Sequence, residues 1–288
     1  MTGGPERPIL ICGAGGQVGQ ALVDRLRQAR REVIAFDHGT LDIGDPTQVK
    51  HALATHRPWV VVNAAAYTAV DRAESEPDVA HAINAEAPRY LAETCVEIDA
   101  ALLSYSTDYV FDGTKTTPYV EDDPTAPINI YGRSKLDGED GIRKTMKRHL
   151  ILRTSWVFST GRPNFVTTML RLGLERDTLS VVDEEFGCPT AAADIANASA
   201  ALIDAIDRNG DIVWGTYHFC GAGPISRHRF AETIANEAAA VTGRTVTVVP
   251  IKSADFPTPA KRPLHAVLDC GRIARTFGLA QPDWRARS

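Results

Sequence analysis

Two residues four apart, Tyr131 and Lys135, carry the chemistry from which the rest of the chain can be read. In the first turn of a helix, that spacing puts both on one face. A phenol titrates near about 10, which makes it a poor proton donor at neutral pH. A nearby ammonium favours the phenolate and lowers that value toward the working range. A tyrosine prepared in this way can protonate a ketone oxygen while hydride reaches the carbon. The same pair could also be a solvated helix face, so the surrounding elements must decide.

The chain has 288 residues, 44% hydrophobic and 23% charged, with net charge −5. Such a composition predicts a water-soluble globular protein. The charge gives no basic field for nucleic acid or anionic membrane. The longest apolar runs are strand-sized, so no membrane span is expected. Residues Met1 to Pro8 are polar and Gly/Pro-rich, unlike a signal peptide. Five scattered cysteines without a CxxC pair predict reduced thiols and a cytoplasmic location.

Pro8 to Cys12 reads as a strand buried on both faces. It leads into Gly13-Ala14-Gly15-Gly16-Gln17-Val18-Gly19 and then a helix over Gln20 to Arg27. In this strand–turn–helix context, Gly13 makes the tight turn and Gly16 admits a pyrophosphate to the helix N-terminus. Gly19 allows close helix–strand packing. Glu32 to Phe36 is a second strand ending in Asp37, roughly 20 residues beyond the glycines, where a carboxylate can accept ribose hydroxyls. That charge repels a 2′-phosphate and favours NADH. Arg30 and Arg31, nearby in sequence, keep NADPH open. Asp42 and Ile43 could flank the adenine. Asp45-Pro46 is an N-cap followed by Pro at the first helical position.

Trp59 to Asn63 is a third strand. Ala64-Ala65-Ala66 follows and leaves room for a flat cofactor over the sheet edge. A long helix is expected from about Val79 to Ile98. Ala101 to Ser106 is the fourth strand, with Thr107 at its carboxyl end, where a hydroxyl could polarise a reacting carbonyl. Asp108 and Tyr109 follow, placed to touch substrate. His149 to Arg153 is the fifth strand, and Trp156 just beyond it fits either stacking on a sugar ring or filling core. The alternation predicts an α/β fold with a doubly wound parallel sheet and right-handed crossovers.

Further along, Asn164 to Leu174 is amphipathic, Leu179 to Val182 a short strand, and Asp183 to Pro189 a loop. Asp194 to Ile206 is an Ala-rich helix and Trp214 to Phe219 a strand. Ser226 can cap a helix to about Val241, and Val246 to Ile251 is a last strand. Pro257, Pro259 and Pro263 exclude regular structure. The boundaries that result are 1–158 for a dinucleotide-binding domain, with 190–220 returning to it. Residues 159–189 and 221–288 make a smaller C-terminal α/β substrate lobe.

With the Gly13–Gly19 loop, Thr107, Tyr131 and Lys135 in order, the chain resembles the extended short-chain dehydrogenase/reductase superfamily. The blocks NAAAYTAVDRAESEP, STDYVFDG, YGRSKLDGE, LRTSWVF, FGCPT and FPTPAKRP narrow the match. Together they look like the dTDP-4-dehydrorhamnose reductase family. That resemblance implies NAD(P)H-dependent reduction of the C4 ketone of dTDP-6-deoxy-L-lyxo-4-hexulose, the last step to dTDP-L-rhamnose. It implies Tyr131 as proton donor, Lys135 as the group that lowers its pKa and holds the nicotinamide ribose, and Thr107 as a carbonyl contact. Asp108 and Trp156 would contact the sugar. Gly16, Gln17 and Val18 would hold pyrophosphate, Asp37 the ribose, and Asp42 and Ile43 the adenine side. Ala64, Ala65, Ala66, Tyr67, Thr68 and Tyr105 would line the cofactor slot, and Arg262 would meet a diphosphate.

Some family members carry a Glu after the Gly-rich loop that helps bind magnesium at a dimer interface. Gln20 and Ala21 stand there in this chain, so no metal is carried over. Glu184 and Glu185, adjacent in a loop, read as solvated. The family usually continues with another helix where this sequence ends, at Trp284 to Ser288. A homodimer is compatible with the resemblance. Other readings are a nucleotide-sugar epimerase or dehydratase, which keeps NAD tightly bound, and a non-catalytic dinucleotide-binding regulatory subunit. The latter is the role of an animal relative that partners methionine adenosyltransferase. A dehydratase would need an acid pair beside Thr107, but Asp108 is followed by Tyr109.

Overall fold

The computed structural model describes residues 7–209 and 212–287. Most of the polar N-terminal stretch, residues 1–6, lies outside them, as does Ser288.

Six parallel strands form the central sheet. They are β1 (Ile9–Cys12), β2 (Val33–Phe36), β3 (Val60–Asn63), β4 (Ala101–Thr107), β5 (His149–Thr154) and β6 (Gly215–His218). Their order across the sheet is β6-β5-β4-β3-β1-β2. The chain winds outward from β1 to β2, then returns to β3 on the other side of β1. This reversal opens a crevice at the carboxyl ends of β1 and β3.

Burial of both sheet faces explains the continuous apolar strands. Alternate residues serve opposite cores: Ile9, Ile11, Val60 and Val62 join one, and Leu10, Cys12, Val61 and Leu102 the other. On the first face pack helix α1 (Gln17–Gln28) and, later in the chain, α6 (Ala192–Asn209). On the second face pack α2 (Pro46–His56) and α3 (Ala87–Ile98). The register sets Thr107 beside Thr154, so the ends of β4 and β5 are level.

Asp45 caps α2 by accepting from the Thr47 and Gln48 N–H groups, with Pro46 at the first position. The long helix expected over Val79–Ile98 is interrupted. Helix Pro77–His81 passes through a π-helical turn, Ala82–Glu86, before α3 begins. Asn84, in that turn, bonds the main-chain N–H and C=O of Tyr67 and the Ser134 hydroxyl. Those long-range bonds supply what the widened turn needs, and nothing local in the sequence announces them.

Helix α4 (Ile130–Thr145) carries Tyr131 and Lys135. Asn129 caps it, its side chain accepting from the Gly132 N–H. A β-carbon on Gly132 would lie 2.1 Å from the Tyr109 carbonyl oxygen, and one on Gly138 2.1 Å from that of Asn84. Two glycines therefore let α4 settle directly on the segment after β4 and on the π turn.

The C-terminal elements form smaller clusters. Helix α5 (Phe165–Glu175) and helix α7 (Arg227–Thr242) pack with strand Thr178–Val182, which pairs in parallel with Thr247–Ile251. The loop expected over Asp183–Pro189 contains a short strand, Phe186–Gly187, paired antiparallel with Ile225–Ser226. Ser226 caps α7 by accepting from the Arg229 N–H. The segment holding Pro257, Pro259 and Pro263 has no helix or strand, and α8 (Gly271–Phe277) follows it. All five cysteines are buried and unbridged.

Candidate active site

Gly13 turns the chain after β1 with φ +78°, and a β-carbon there would lie 2.4 Å from the Ala65 N. One on Gly19 would lie 2.1 Å from the Gly13 carbonyl oxygen. The loop is thus pressed between α1 and the end of β3 by glycines alone. Gly16 is the N-cap of α1, with no side-chain hydrogen bond and no acid in the first turn. The open N–H groups of that helix are a ready anion site.

A cleft of about 820 Å³ lies over this loop. Of the expected cofactor residues, Gly13, Gly16, Asp37, Asp42, Ile43, Ala64, Ala65, Ala66 and Tyr67 line it. Gly19 acts through packing. Val18 packs against the core, and the Gln17 amide oxygen accepts from the Ser159 hydroxyl and the Asn164 amide. Thr68 does not line the cleft. The Tyr105 phenol also points elsewhere, bonding Ser199 in the core at 2.7 Å, and only its main-chain carbonyl faces Lys135. Asp37 is exposed, and its carboxylate accepts from the Thr40 N–H and hydroxyl, which hold it below its usual pKa.

At the end of β4, the Thr107 hydroxyl donates to Asp108 at 2.9 Å and accepts from the Tyr109 N–H. The rings of Tyr109 and Tyr131 meet edge to face, centroids 5.7 Å apart. Asp108 is 2% exposed and its second carboxylate oxygen has no hydrogen-bond partner among the described residues. Burial raises this acid to about 7, against the pull of Thr107 and the Arg227 charge.

Burial likewise holds the Tyr131 phenol well above its usual value, with the neighbouring Thr107 hydroxyl pulling it back. The charges that act on the phenol are those of Asp108 and Tyr109. The Lys135 amine donates instead to the Tyr105 carbonyl at 2.7 Å, and burial brings it down to about 8. One turn further, Glu139 takes both a paired contact from Arg153 and the Ser106 hydroxyl. Burial alone would raise that carboxyl, but Arg153, Ser106 and Arg143 bring it to about 2.

A second cleft, of about 690 Å³, runs between α5, strand Thr178–Val182 and the Pro-rich segment. Arg176, Arg227 and Arg262 line it, with Asp71 and Glu185. Arg262 bonds Asp71 at 2.9 Å, and Arg227 pairs with Glu185 at 3.3 Å. Arg227 also lies 3.8 Å over the Trp156 ring, which stacks further on Phe230. Trp156 adopts φ +43°, and a β-carbon on Gly187 would lie 2.5 Å from its ring. The tryptophan is therefore wedged among aromatic neighbours, with a cation on its face. The two clefts approach along the segment from Tyr67, lining the first, to Asp71, lining the second.

Sequence reasoning missed Asn84, Glu139, Arg153 and Arg227, because long-range contacts give each its role. It also passed over Arg162, whose only signal is a place in a loop beyond the carboxyl end of β5. Glu184 is exposed, as expected, and accepts from the Ser253 N–H, whereas Glu185 is half-buried and pairs with Arg227. Among the described residues, no group of three or more His, Cys, Asp or Glu side chains gathers as metal ligands.

The chain matches the family model described as RmlD substrate binding domain over residues 7–288. It is 42% identical over 284 residues to a dTDP-4-dehydrorhamnose reductase of Burkholderia thailandensis, covering 96% of this chain and 95% of that one. A crystal structure of a dTDP-4-dehydrorhamnose reductase from Clostridium acetobutylicum superposes with TM-score 0.90 at 37% identity, covering 97% and 96% of the two chains. One from Bacillus anthracis, solved in complex with NADP, gives TM-score 0.89 at 36% identity with the same coverage. Full-length similarity at this level, on a chain whose sheet, Gly-rich loop and Tyr131 helix were described independently, makes this protein a member of the dTDP-4-dehydrorhamnose reductase family.

Proposed function

We propose that this oxidoreductase reduces the C4 ketone of a dTDP-4-keto-6-deoxyhexose, dTDP-4-dehydrorhamnose to dTDP-L-rhamnose, with the proton drawn from Tyr131. The observation that carries the reading is the meeting of Tyr131 with Tyr109, next to Thr107 and Asp108 at the end of β4, within reach of the charges of Arg227 and Arg262 from the second cleft.

The first cleft fits a nicotinamide dinucleotide. Its floor is glycine and alanine where side chains would obstruct, and its α1 N-terminus is open to a pyrophosphate. The NADP-bound Bacillus anthracis relative supports the same cofactor class. Asp37 is suited to the ribose hydroxyls of NADH. When bound, the reduced cofactor supplies a hydride to the carbonyl carbon.

The chain's own groups do the rest. As the carbonyl electron pair moves onto oxygen, Tyr131 passes its proton there, and Thr107 turns its one hydroxyl hydrogen from Asp108 to the same oxygen. A phenol raised by burial remains protonated through neutral pH, ready to donate. Lys135 then faces the resulting phenolate and stabilises it, and water returns the proton. Asp108 and Tyr109 adjoin the sugar. Arg262, Arg227 and Arg176 give the second cleft cations for a diphosphate, partly balanced by Asp71 and Glu185.

In this reading, residues 1–158 and 190–220 chiefly serve the dinucleotide, and 159–189 with 221–288 the sugar nucleotide, with Arg162 crossing to the first cleft and Asp71 to the second. Among the described residues no helix is long and apolar enough to cross a membrane. That and the unbridged cysteines support a cytoplasmic location, and a homodimer belongs to the same reading.

The test mixes purified protein with NADH or NADPH and a panel of dTDP-4-keto-6-deoxy sugars, follows loss of the reduced cofactor and determines the product's C4 configuration. Consumption that yields the L-rhamno product supports the reading. No consumption with any sugar rejects it.

A further inference from the structure

We propose that Arg162 receives a phosphate on the adenosine 2′-hydroxyl and thereby admits NADPH to a cleft whose Asp37 favours NADH. The proposal rests on the dinucleotide reading above. Neither of the two arginines expected here, Arg30 and Arg31, lines the cleft. Arg31 is engaged by Asp204 and Asp207 of helix α6, at 2.6 and 2.7 Å. Arg72 lines the cleft, but its guanidinium bonds Glu76 at 2.7 Å.

Arg162 arrives from more than a hundred residues away and lines the same cleft as Gly15, Asp37 and His38. The point where a β-carbon on Gly15 would stand is 3.4 Å from the Asp37 Cβ and 3.9 Å from the Arg162 Nη2. A guanidinium thus comes to contact distance of the bare side of Gly15, on the same face as the carboxylate expected at the ribose. Among the described residues Arg162 makes no ion pair.

Its loop is fixed at both ends. The Arg162 carbonyl accepts from the Asn164 amide at 2.8 Å, and Asn164 with Ser159 donates to Gln17 at the start of α1. The backbone that carries Arg162 is therefore anchored beside the Gly-rich loop, with its exposed guanidinium uncommitted to any ion pair among the described residues. An arginine there offsets the repulsion between Asp37 and a dianionic phosphate, with fork geometry suited to bidentate bonding. The pyrophosphate, common to both cofactors, is the competing target, and the two cofactors separate the cases.

Equilibrium dissociation constants for NADPH and NADH, from titrations of cofactor fluorescence, test this on the wild-type protein, Arg162→Ala and Arg162→Lys. Arg162→Ala should weaken NADPH by about 10- to 100-fold and leave NADH within about threefold, with Arg162→Lys between wild type and Ala for NADPH. A parallel loss for both cofactors assigns the arginine to the pyrophosphate and overturns the proposal, as does no loss for either. A wild-type protein that binds neither cofactor rejects the dinucleotide reading first, and this proposal with it.

Discussion

The Lys135 amine donates to the Tyr105 main-chain carbonyl at 2.7 Å, which ties the helix that carries Tyr131 to the strand that carries Thr107. The bond fixes the amine in a buried place where its charged form is disfavoured, at about 8 rather than the usual 10.5. The unfolded chain therefore holds this proton to higher pH than the folded one. Folding stability should rise with pH between those two values, and the charge should cost stability at neutral pH.

Lys135→Met should consequently gain folding stability on the order of 1–2 kcal/mol at pH 7, since removal of the buried charge outweighs the hydrogen bond lost to Tyr105. It should also lose turnover and dinucleotide affinity. Urea unfolding at pH 7 and at pH 10 checks the sign. A variant less stable than the parent at both values would show that the amine is comfortable where it lies.

Tyr131→Phe removes the acid and keeps the ring that packs against Tyr109. Dinucleotide affinity should stay within about twofold while turnover falls by about 10²-fold or more. Steady-state kinetics beside a binding titration separate the two effects. Undiminished turnover would transfer the proton-donor role to another group, for which the buried Asp108 is the nearest candidate.

Asp108 titrates in the opposite sense to Lys135. Its folded value of about 7 exceeds the usual 3.8, so the stability it contributes is complete below the unfolded value and is lost as pH rises toward 7. Asp108→Asn should remove that decline and leave the variant more stable than the parent at pH 8, by on the order of 2 kcal/mol. The difference should vanish near pH 4. Thermal unfolding of both proteins across that range measures it, and parallel curves would mean that the unpartnered oxygen is solvated after all.

The buried Glu139–Arg153 pair beneath the site should behave as a structural unit. Arg153→Met leaves a carboxylate that is 2% exposed without its main partner and should cost about 3 kcal/mol at neutral pH. Glu139 is held at about 2, so the parent's advantage belongs to pH values above its usual 4.5. The gap between parent and variant should narrow as pH falls from 4.5 toward 2. Acid titration of the two proteins in mild urea follows it, and a gap independent of pH would point to packing rather than charge.

The parts of this molecule that can be read from its sequence are those set by neighbours along the chain. The alternation that sends Ile9 and Leu10 to opposite cores, the cap at Asp45, and the glycines around α1 are all local. Tyr131 and Lys135 were legible for the same reason, since one helical turn relates them. Their protonation was not, because it depends on Tyr105, Asp108 and the burial that the whole fold imposes. Asn84 looks like any helical polar residue until Tyr67 and Ser134 close on it. Arg227 and Arg162 acquire meaning only when a second cleft and a distant glycine loop are brought beside them.

Asn164 holds Gln17 while capping α5, whose Phe165, Thr168, Met169 and Leu172 wall the second cleft. The same amide group thus joins the first residue of α1, next to the glycine loop of the first cleft, to the helix that walls the second. A tilt of that helix cannot occur without pulling on the glycine loop. A ligand in the second cleft that moved this helix would therefore act on the start of α1 through Asn164, and any such linkage would be reciprocal.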